Sequence, residues 1–315
     1  MPRITARHES LPLTAPFRIS RGVKTAAEVV VVEAEQDGLV GRGEAVPYAR
    51  YGETVESVLA QVRYGGDLPA GAARNAIDLA LWDLRARLEG RSVAEMTGRP
   101  LPDQIVTAVT VSLDGPEAMH AAALAVADAP LIKVKVDAQA PEAQIRAVAE
   151  AAPNARLIVD PNEGWDFRLL DSLQPLLAGL NVDVLEQPIP ASDDGALEGY
   201  QPAVPIMADE AAHTAEDLPA LRGKYQAVNI KLDKSGGLTE ALAMHDAARA
   251  LGFKVMTGCM VASSLAIVPA LHIAAVSDFA DLDGPWWIKD DRPGGVRVEG
   301  GMLYRPAKGF WGEPG

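Results

Sequence analysis

The sequence predicts an α/β protein whose main part is a parallel (β/α) barrel of the TIM type. From Ile105 onward, eight short β-branched runs alternate with Ala-rich helical stretches. An open doubly wound sheet gives the same alternation, but eight units without a Gly-rich dinucleotide loop favour the barrel. The first hundred residues lack this repeat, and they predict a separate, small α+β domain that is mostly antiparallel.

Within this first region, residues 28–45 (EVVVVEAEQDGLVGRGEA) predict two strands joined by a turn at Asp37 and Gly38. The glycines of VGRGEA lack the βαβ context of a phosphate-binding loop. Gly90 stands where a helix C-cap belongs. Two stretches carry helical apolar spacing, ETVESVLAQV (53–62) and AARNAIDLALWDLRARLEG (72–90).

The eight strand-like runs are IVTAVTVSL (105–113), LIKVKV (131–136), RLIVD (156–160), VDVLEQP (182–188), PIMADE (205–210), AVNIKL (227–232), FKVMTG (253–258) and FADLDGP (279–285). After Pro285 the pattern becomes irregular, and GGVRVEGGMLY suggests a final hairpin. We therefore expect three segments: an N-terminal α+β domain (1–102), the barrel (103–289) and a C-terminal tail (290–315) that returns to the first domain.

Composition and charge narrow the class of protein. The 315 residues carry a net charge of −14 without a basic block, which argues against a nucleic-acid partner. Cys259 is the single cysteine, so no intrachain disulfide can form. The N-terminus has no apolar signal region, and no apolar run is long enough to span a membrane. We expect a soluble cytoplasmic protein, and whether it forms a homo-oligomer is left open.

Three carboxylates close three successive apolar runs: Asp160, Glu186 and Asp209. If each run is a parallel strand, the carboxylates gather at the end of the barrel where such folds keep their chemistry. Asp is also a common helix N-cap after a strand, but three on consecutive units are harder to explain that way. Because carboxylates repel one another unless a cation lies between them, this spacing indicates a site for Mg²⁺ or Mn²⁺ rather than zinc.

Lysines occupy comparable positions on two other runs. Lys133 and Lys135 alternate onto one face of LIKVKV, whose apolar residues, including Leu131, are expected on the other face. Lys231 ends AVNIKL. An edge strand with solvated lysines is the plainer alternative. Near a metal, adjacent ammonium groups should lower each other's pKa toward the neutral form that a base needs.

Five motifs, in their order along the chain, resemble the muconate-lactonizing subgroup of the enolase superfamily: KVKVD, VDPNEGW, LEQP, ADE and NIKLDKSGG. The terminal DLDGP resembles one branch of it, the dipeptide epimerases. The N-terminal region is similar to the same branch in three motifs: PFRISRG, GRGEAVPYARYGET and AARNAIDLALWDLRAR. The resemblance covers nearly the whole chain, and it implies a capping domain built from the N-terminal region and the C-terminal tail.

The resemblance also implies a role for each site residue. Asp160, Glu186 and Asp209 would bind one Mg²⁺ per subunit, which Mn²⁺ could replace, and Lys135 and Lys231 would be the two bases. The implied substrate contacts are Lys133 and Thr110 at the carboxylate, Asp281 and Asp283 at the ammonium, and Cys259 through its backbone. The chain departs from many relatives at Ala262, where they carry an acidic residue.

The implied reaction is epimerisation of a dipeptide of the L-Ala-D/L-Glu type through an enediolate, in murein peptide recycling. An Asp281–Asp283 pair suits a free amino group, and Arg21 is the candidate cation for an acidic side chain, although a solvated loop arginine is an equal alternative. Rival reactions on the same site are cycloisomerisation, o-succinylbenzoate synthesis and N-acylamino acid racemisation. A non-catalytic peptide-binding barrel is the rival from another class.

Overall fold

The computed structural model describes residues 1–314, and it begins with a three-stranded antiparallel sheet. Its strands are β1 (Arg3–Ile19), β2 (Gly22–Gln36) and β3 (Leu39–Ala45). The turn between β2 and β3 lies at Asp37 and Gly38, whose φ angles are 54° and 79°. The predicted hairpin over 28–45 is therefore confirmed.

The long strand β1 was not predicted from the sequence. Its residues alternate between exposed and half-buried positions, and it contains two prolines, so it lacks a strong strand pattern. Pairing along β2 stabilises it instead, from Arg3 opposite Glu35 to Ile19 opposite Gly22. The tip of this β1–β2 hairpin reaches the barrel.

Helices α1 (Val55–Tyr64), α2 (Ala72–Glu89) and α3 (Val93–Thr97) complete the N-terminal region. The two predicted helices are α1 and α2, and Gly90 caps α2 in the left-handed conformation as expected. Helix α2 packs directly against β3. A Cβ atom at Gly41 would lie 2.2 Å from the Ala80 carbonyl oxygen. The glycines of VGRGEA therefore allow close helix–sheet contact.

The barrel follows a short strand, β4 (Gln104–Val106), that does not belong to it. The barrel strands are β5 (Val109–Val111), β6 (Leu131–Lys135), β7 (Arg156–Asp160), β8 (Val182–Glu186), β9 (Ile206–Ala208), β10 (Ala227–Lys231), β11 (Lys254–Gly258) and β12 (Phe279–Asp281). The prediction of one strand over 105–113 is thus wrong. The chain divides there because β4 pairs with the C-terminal tail, whereas β5 pairs with β6.

All eight barrel strands are parallel and neighbour each other in chain order. The Ala108 amide donates to the Ala280 carbonyl at 2.8 Å, which brings β12 back to the first strand. A layer of eight apolar residues fills the interior, one from each barrel strand or the residue just before it: Ala108, Leu131, Ile158, Val184, Met207, Ala227, Met256 and Phe279. The predicted barrel is therefore confirmed.

The helices around the barrel are less regular than the strands. They are α4 (Pro116–Leu124), α5 (Pro141–Ala151), α6 (Phe167–Gly179), α7 (Leu218–Leu221), α8 (Leu232–Ser235), α9 (Leu238–Ala250), α10 (Ser264–Ala274) and α11 (Gly284–Trp287). After β8 a 3₁₀ helix at Ala191–Leu197 takes the place of an α-helix. No helix within residues 1–314 is both long enough and apolar enough to cross a membrane.

The C-terminal tail returns to the N-terminal region. Strands β13 (Arg297–Glu299) and β14 (Met302–Tyr304) form the predicted hairpin, and β14 pairs with β4. Farther on, the indole nitrogen of the buried Trp311 donates to the Arg42 carbonyl at 2.8 Å. The Gly312 amide donates to the Asp83 carboxylate at 2.8 Å. These two hydrogen bonds thus connect the tail to β3 and α2.

Candidate active site

The polar residues of the site lie on the inner face of the barrel, one step above its apolar layer. Period-2 alternation along each strand places them there. They are Thr110, Lys133, Asp160, Glu186, Asp209, Asn229 and Asp281, each at most 5% exposed. Leu131 lies in the apolar layer below Lys133, so its predicted placement on the opposite face is wrong.

Above this layer, a cavity of about 470 Å³ opens between the barrel and the N-terminal hairpin. The barrel contributes Lys133, Lys135, Lys231 and the carboxylates Asp209, Asp281 and Asp283 to its lining. The N-terminal region contributes Arg21, Lys24, Tyr48 and Tyr51. The cavity therefore exists only because two distant parts of the chain meet.

Lys133 joins three of the buried carboxylates. Its Nζ lies 2.7 Å from Glu186 Oε2, 2.8 Å from Asp281 Oδ2 and 3.1 Å from Asp160 Oδ2. Burial opposes the charged form, but these carboxylates outweigh burial and raise the pKa of Lys133 well above its ordinary value. Carboxylates rather than the neighbouring Lys135 therefore decide the direction of the pKa shift of Lys133 here, and the lowering expected beside a metal stays a prediction.

Asp160 is held in its ionised form by lysines. Lys135 Nζ lies 2.5 Å from Asp160 Oδ2, and the Asn162 amide donates to Asp160 Oδ1 at 2.8 Å. Burial favours the protonated acid, yet Lys135 and Lys133 together lower the pKa of Asp160. In contrast, burial and the neighbouring Asp160 raise the pKa of Glu186.

Asp209 lies between two lysines. Lys231 Nζ is 2.8 Å from Asp209 Oδ2, and Lys234 Nζ is 2.6 Å from Asp209 Oδ1. Burial opposes ionisation, but both ammonium groups lower the pKa of Asp209 well below its ordinary range. Burial lowers and Asp209 raises the pKa of Lys231, with a net increase above the ordinary lysine value.

The predicted metal ligands fit a divalent cation by chemistry, although they do not form a ready-made cage. Within residues 1–314, no three Asp, Glu, His or Cys side chains converge closely enough to hold a metal by themselves, because lysines lie between the carboxylates. Asp160, Glu186 and Asp209 are nonetheless buried at the ends of adjacent strands. The raised pKa of Glu186 reflects carboxylate crowding in a buried place. Such an all-oxygen set suits Mg²⁺.

The two terminal aspartates are close to the first barrel strand. The Thr110 amide donates to Asp283 Oδ2 at 2.8 Å, and Lys133 reaches Asp281 from the neighbouring strand. Burial and the neighbouring Asp281 raise the pKa of Asp283. Cys259 also lines the cavity, whereas Ala262 is 1% exposed and does not.

Arg21 crosses from the β1–β2 hairpin to the barrel. Its guanidinium lies 2.7 Å from Glu210 Oε1 and 2.8 Å from the Asn162 carbonyl oxygen. Its charge is therefore already paired. Lys24, on the same hairpin, lies 4.8 Å above the centre of the Tyr48 ring and makes no ion pair within the described residues.

Sequence reasoning missed three residues that support the site. Lys234 follows Lys231 by three positions, but its contact with Asp209 was not predicted. Gln187, at a positive φ of 29°, accepts hydrogen bonds from the Asp209 and Ala211 amides. Lys24 carried no local signal beyond the positive charge of SRGVK.

Known proteins provide an independent comparison with this site. Residues 117–310 match the family described as enolase C-terminal domain-like. Residues 2–64 and 56–98 match the N-terminal domain of mandelate racemase and muconate lactonizing enzyme. The L-Ala-D/L-Glu epimerase of Escherichia coli (strain K12) is 47% identical over 94% of this chain and 97% of its own length. The N-acetyl-D-glutamate racemase of Pseudoalteromonas sp is 42% identical over 90% and 95%.

Solved structures add ligands to this comparison. An enolase family member from Agrobacterium tumefaciens, with bound sodium and L-Ala-L-Glu, has a TM-score of 0.95, 42% identity and coverage of 99% of this chain and 100% of its own. A dipeptide epimerase from Enterococcus faecalis V583, complexed with Mg and L-Leu-L-Tyr, has a TM-score of 0.91, 28% identity and 98% coverage of both chains.

Proposed function

The chain belongs to the mandelate racemase and muconate lactonizing enzyme family of the enolase superfamily, and on this premise we propose that it epimerises dipeptides of the L-Ala-D/L-Glu type. The reaction inverts the carbon next to the free carboxylate and serves the recycling of murein peptides. The observation that supports the proposal most strongly is the pair Lys135 and Lys231, which line one cavity from opposite sides of the barrel.

The proposed metal ligands are Asp160, Glu186 and Asp209. Mg²⁺ held there would polarise the substrate carboxylate as a Lewis acid and make the neighbouring C–H bond more acidic. The same carboxylates keep lysine ammonium groups in place, since Asp160 contacts Lys135 and Asp209 contacts Lys231. Two of the three ligands thus also orient a base.

Proton transfer is assigned to the two lysines. The neutral amine of one lysine takes the α-proton from one face, while the ammonium of the other lysine returns a proton to the opposite face. For the reverse epimer the roles exchange, so that no group has to move around the substrate. Lys133 supplies positive charge beside the substrate carboxylate as negative charge develops there.

The ends of the dipeptide are assigned to opposite parts of the cavity. Asp281 and Asp283 accept the free ammonium group, because Lys133 is a cation for Asp281 alone and the buried Asp283 beside it has no cation of its own within residues 1–314. Thr110 lies next to Lys133 in the pairing of β5 with β6, on the side of the substrate carboxylate. Cys259 borders the cavity from the loop after β11.

The acidic side chain of the substrate is assigned to the hairpin tip. Arg21 lines the cavity, but Glu210 already offsets its charge. Lys24 lines the same cavity without a carboxylate partner among residues 1–314. We therefore assign the main electrostatic selection for glutamate to Lys24, with Arg21 closing the hairpin over the barrel and adding a smaller share.

A second candidate substrate is an N-acylated amino acid. The relative from Pseudoalteromonas is an N-acetyl-D-glutamate racemase at 42% identity, and Asp281 and Asp283 already have partners in Lys133 and the Thr110 amide. An N-acetyl group carries no positive charge, so it would leave the two carboxylates without a counter-ion from the substrate. The dipeptide therefore remains the better fit.

Turnover in D₂O separates these candidates. The protein with Mg²⁺ is incubated with L-Ala-L-Glu, N-acetyl-L-Ala-L-Glu or N-acetyl-L-Glu, and deuterium at the α-carbon is followed by mass spectrometry. We expect deuterium uptake and inversion with the free dipeptide at a kcat/KM at least about a hundredfold above the acylated compounds. Equal or faster turnover of N-acetyl-L-Glu would replace the epimerase by the racemase, and no exchange with any substrate would favour a non-catalytic barrel.

A further inference from the structure

Lys234 is a buried lysine that the mechanism above does not use. It lies in α8, directly after β10, and is 1% exposed. Its Nζ contacts three oxygen atoms. They are the Asp209 carbonyl oxygen, Asp209 Oδ1 at 2.6 Å and the Asn229 carbonyl oxygen at 3.0 Å.

These three contacts use the full donor capacity of the side chain. A lysine ammonium has three N–H donors and no acceptor, and each donor finds one oxygen. Burying an ammonium is costly unless it is paired and hydrogen-bonded. The arrangement therefore fixes both the side chain and the backbone of Asp209, at the point where β9 meets β10.

The two oxygens of Asp209 are divided between two lysines. Lys231 contacts Oδ2 at 2.8 Å from the cavity side, whereas Lys234 contacts Oδ1 at 2.6 Å. Lys231 and Asp209 line the cavity, but Lys234 does not. Lys234 therefore contacts Asp209 on the side away from the cavity and does not touch a bound substrate.

We propose that Lys234 is a positioning residue, which holds Asp209 by Oδ1 and its carbonyl group so that Oδ2 faces the cavity. The inference rests on the proposed function for the assignment of Asp209 as a metal ligand. Gln187 supports the same residue from the other side, since it accepts from the Asp209 amide at 2.9 Å. Residues that orient a metal ligand in this way commonly change metal affinity by 10–100-fold when they are replaced.

If Lys234 acted on the metal site through its charge alone, its replacement would change the metal affinity in the opposite direction. An ammonium beside a cation site repels the cation, so its removal should tighten metal binding. A positioning role predicts weaker binding, because Asp209 would lose the two hydrogen bonds from Lys234 that fix its orientation. The direction of the change in metal affinity therefore separates the two roles.

The test uses Lys234→Met, with Lys224→Met as the matched control. Lys224 pairs with Asp194 at 2.8 Å and is partly buried, but it does not line the cavity. Mn²⁺ binding to EDTA-treated protein is measured by electron paramagnetic resonance. We expect the Mn²⁺ Kd to rise about 10–100-fold in Lys234→Met and to change less than about twofold in the control. An unchanged or tighter Kd in Lys234→Met overturns the proposal.

Two further measurements complete the test. If Lys234→Met does not fold, Lys234→Gln retains an N–H donor without the charge and should weaken Mn²⁺ binding in the same direction. Failure of both variants to fold would assign Lys234 to folding and overturn the positioning role. In folded variants, the Mg²⁺ concentration for half-maximal activity should rise about tenfold or more. A wild type that binds Mn²⁺ but does not epimerise dipeptides would reject the proposed function and leave the affinity test of Lys234 valid.

Discussion

Lys135 and Lys231 end β6 and β10, which lie four strands apart in an eight-stranded barrel. Four strands are half of the way around the barrel, so the two lysines lie on opposite sides of the cavity that both line. Each also has its own carboxylate, since Lys135 contacts Asp160 and Lys231 contacts Asp209. In the proposed reaction, this opposition would give each lysine one face of a substrate held between them.

Replacement of one base should separate proton exchange from inversion. We expect Lys231→Ala to lower epimerisation in both directions by roughly 10²–10⁴-fold, because inversion needs both groups. It should still exchange the α-proton of the diastereomer that faces Lys135, and Lys135→Ala should exchange that of the other. Proton NMR in D₂O measures both, with Lys224→Ala as the control. Near wild-type epimerisation in either single variant would reject the two-base assignment.

Metal removal should abolish activity reversibly. Protein treated with EDTA should be inactive, and Mg²⁺ or Mn²⁺ should restore it, since no lysine replaces a divalent Lewis acid. Asp209→Asn should weaken Mn²⁺ binding and lower kcat by about a hundredfold or more. Asp194→Asn, which alters an aspartate paired with Lys224 away from the cavity, is the control. Full turnover by the metal-free protein would exclude the proposed cofactor.

The preference for a free amino group should depend on Asp283. Asp283→Asn removes one of two neighbouring carboxylates while it can still accept from the Thr110 amide. We expect the advantage of L-Ala-L-Glu over its N-acetyl form to shrink from about a hundredfold to below about tenfold. The comparison of kcat/KM values measures this, with the exposed Asp290→Asn as the control. An unchanged ratio would mean that Asp283 does not meet the ammonium.

Selection for an acidic side chain should depend more on Lys24 than on Arg21. In the wild type, replacing glutamate by glutamine in the substrate should lower kcat/KM by less than N-acetylation does. In Lys24→Met this penalty should shrink roughly 3–10-fold, as expected for a partly exposed charge pair. In Arg21→Ala it should shrink by less, because Glu210 already offsets that charge.

The measurement for this pair is the ratio of kcat/KM for L-Ala-L-Glu and L-Ala-L-Gln in each variant. Lys308→Met, an exposed lysine that does not line the cavity, should leave the ratio unchanged. A larger effect of Arg21→Ala than of Lys24→Met would return the main role to Arg21. An unchanged ratio in both variants would show that neither cation meets the side chain.

Acid should destabilise the fold through His272. Burial lowers the pKa of His272 to about 4, whereas the unfolded chain has the ordinary value of 6.5. The stability that follows from a neutral buried histidine is complete above pH 6.5 and is lost as pH falls through 4, because the unfolded chain binds the proton first. A shift of this size corresponds to about 3 kcal/mol.

Urea unfolding at pH 7 and at pH 4.5 measures this component. His272→Gln can keep a donor for the Arg99 carbonyl oxygen but does not titrate. Its free energy of unfolding should therefore fall by about 2–3 kcal/mol less than that of the wild type over this range. His120→Gln, at a partly exposed histidine of α4, should behave as the wild type. Equal losses in His272→Gln and wild type would exclude this contribution.

Several predictions from the sequence hold because they depend on short-range patterns. Period-2 alternation predicted that Lys133 and Lys135 share a face, and they do. Strand-like runs of fixed spacing predicted that Asp160, Glu186 and Asp209 lie at one end of the barrel, and they lie at the carboxyl ends of β7, β8 and β9. The same local rules predicted the β2–β3 hairpin, the C-terminal hairpin and the Gly90 cap.

Other features were beyond these rules because their causes are distant in the sequence. Strand β1 is held by pairing with β2, and the run 105–113 is divided by a tail strand about 200 residues later. Leu131 was misplaced although period-2 alternation puts it on the face of Lys133. Its apolar side chain was assigned to the apolar face, whereas a strand inside a closed barrel is buried on both faces. No window of the sequence reports such pairings.

The sequence by itself determined the order of the barrel strands and the oxygen chemistry of their ends, since each follows from residue type and spacing along one strand. The choice of Lys135 and Lys231 as the two bases is what the resemblance to the enolase superfamily implies. Tertiary structure alone decided the charges and partners of these groups. Lys133 has a raised pKa because three carboxylates from three strands surround it, and Lys234 reaches Asp209 across the β9–β10 boundary. Desolvation and Coulomb energy depend on distances in space, which a sequence pattern fixes only along one element at a time.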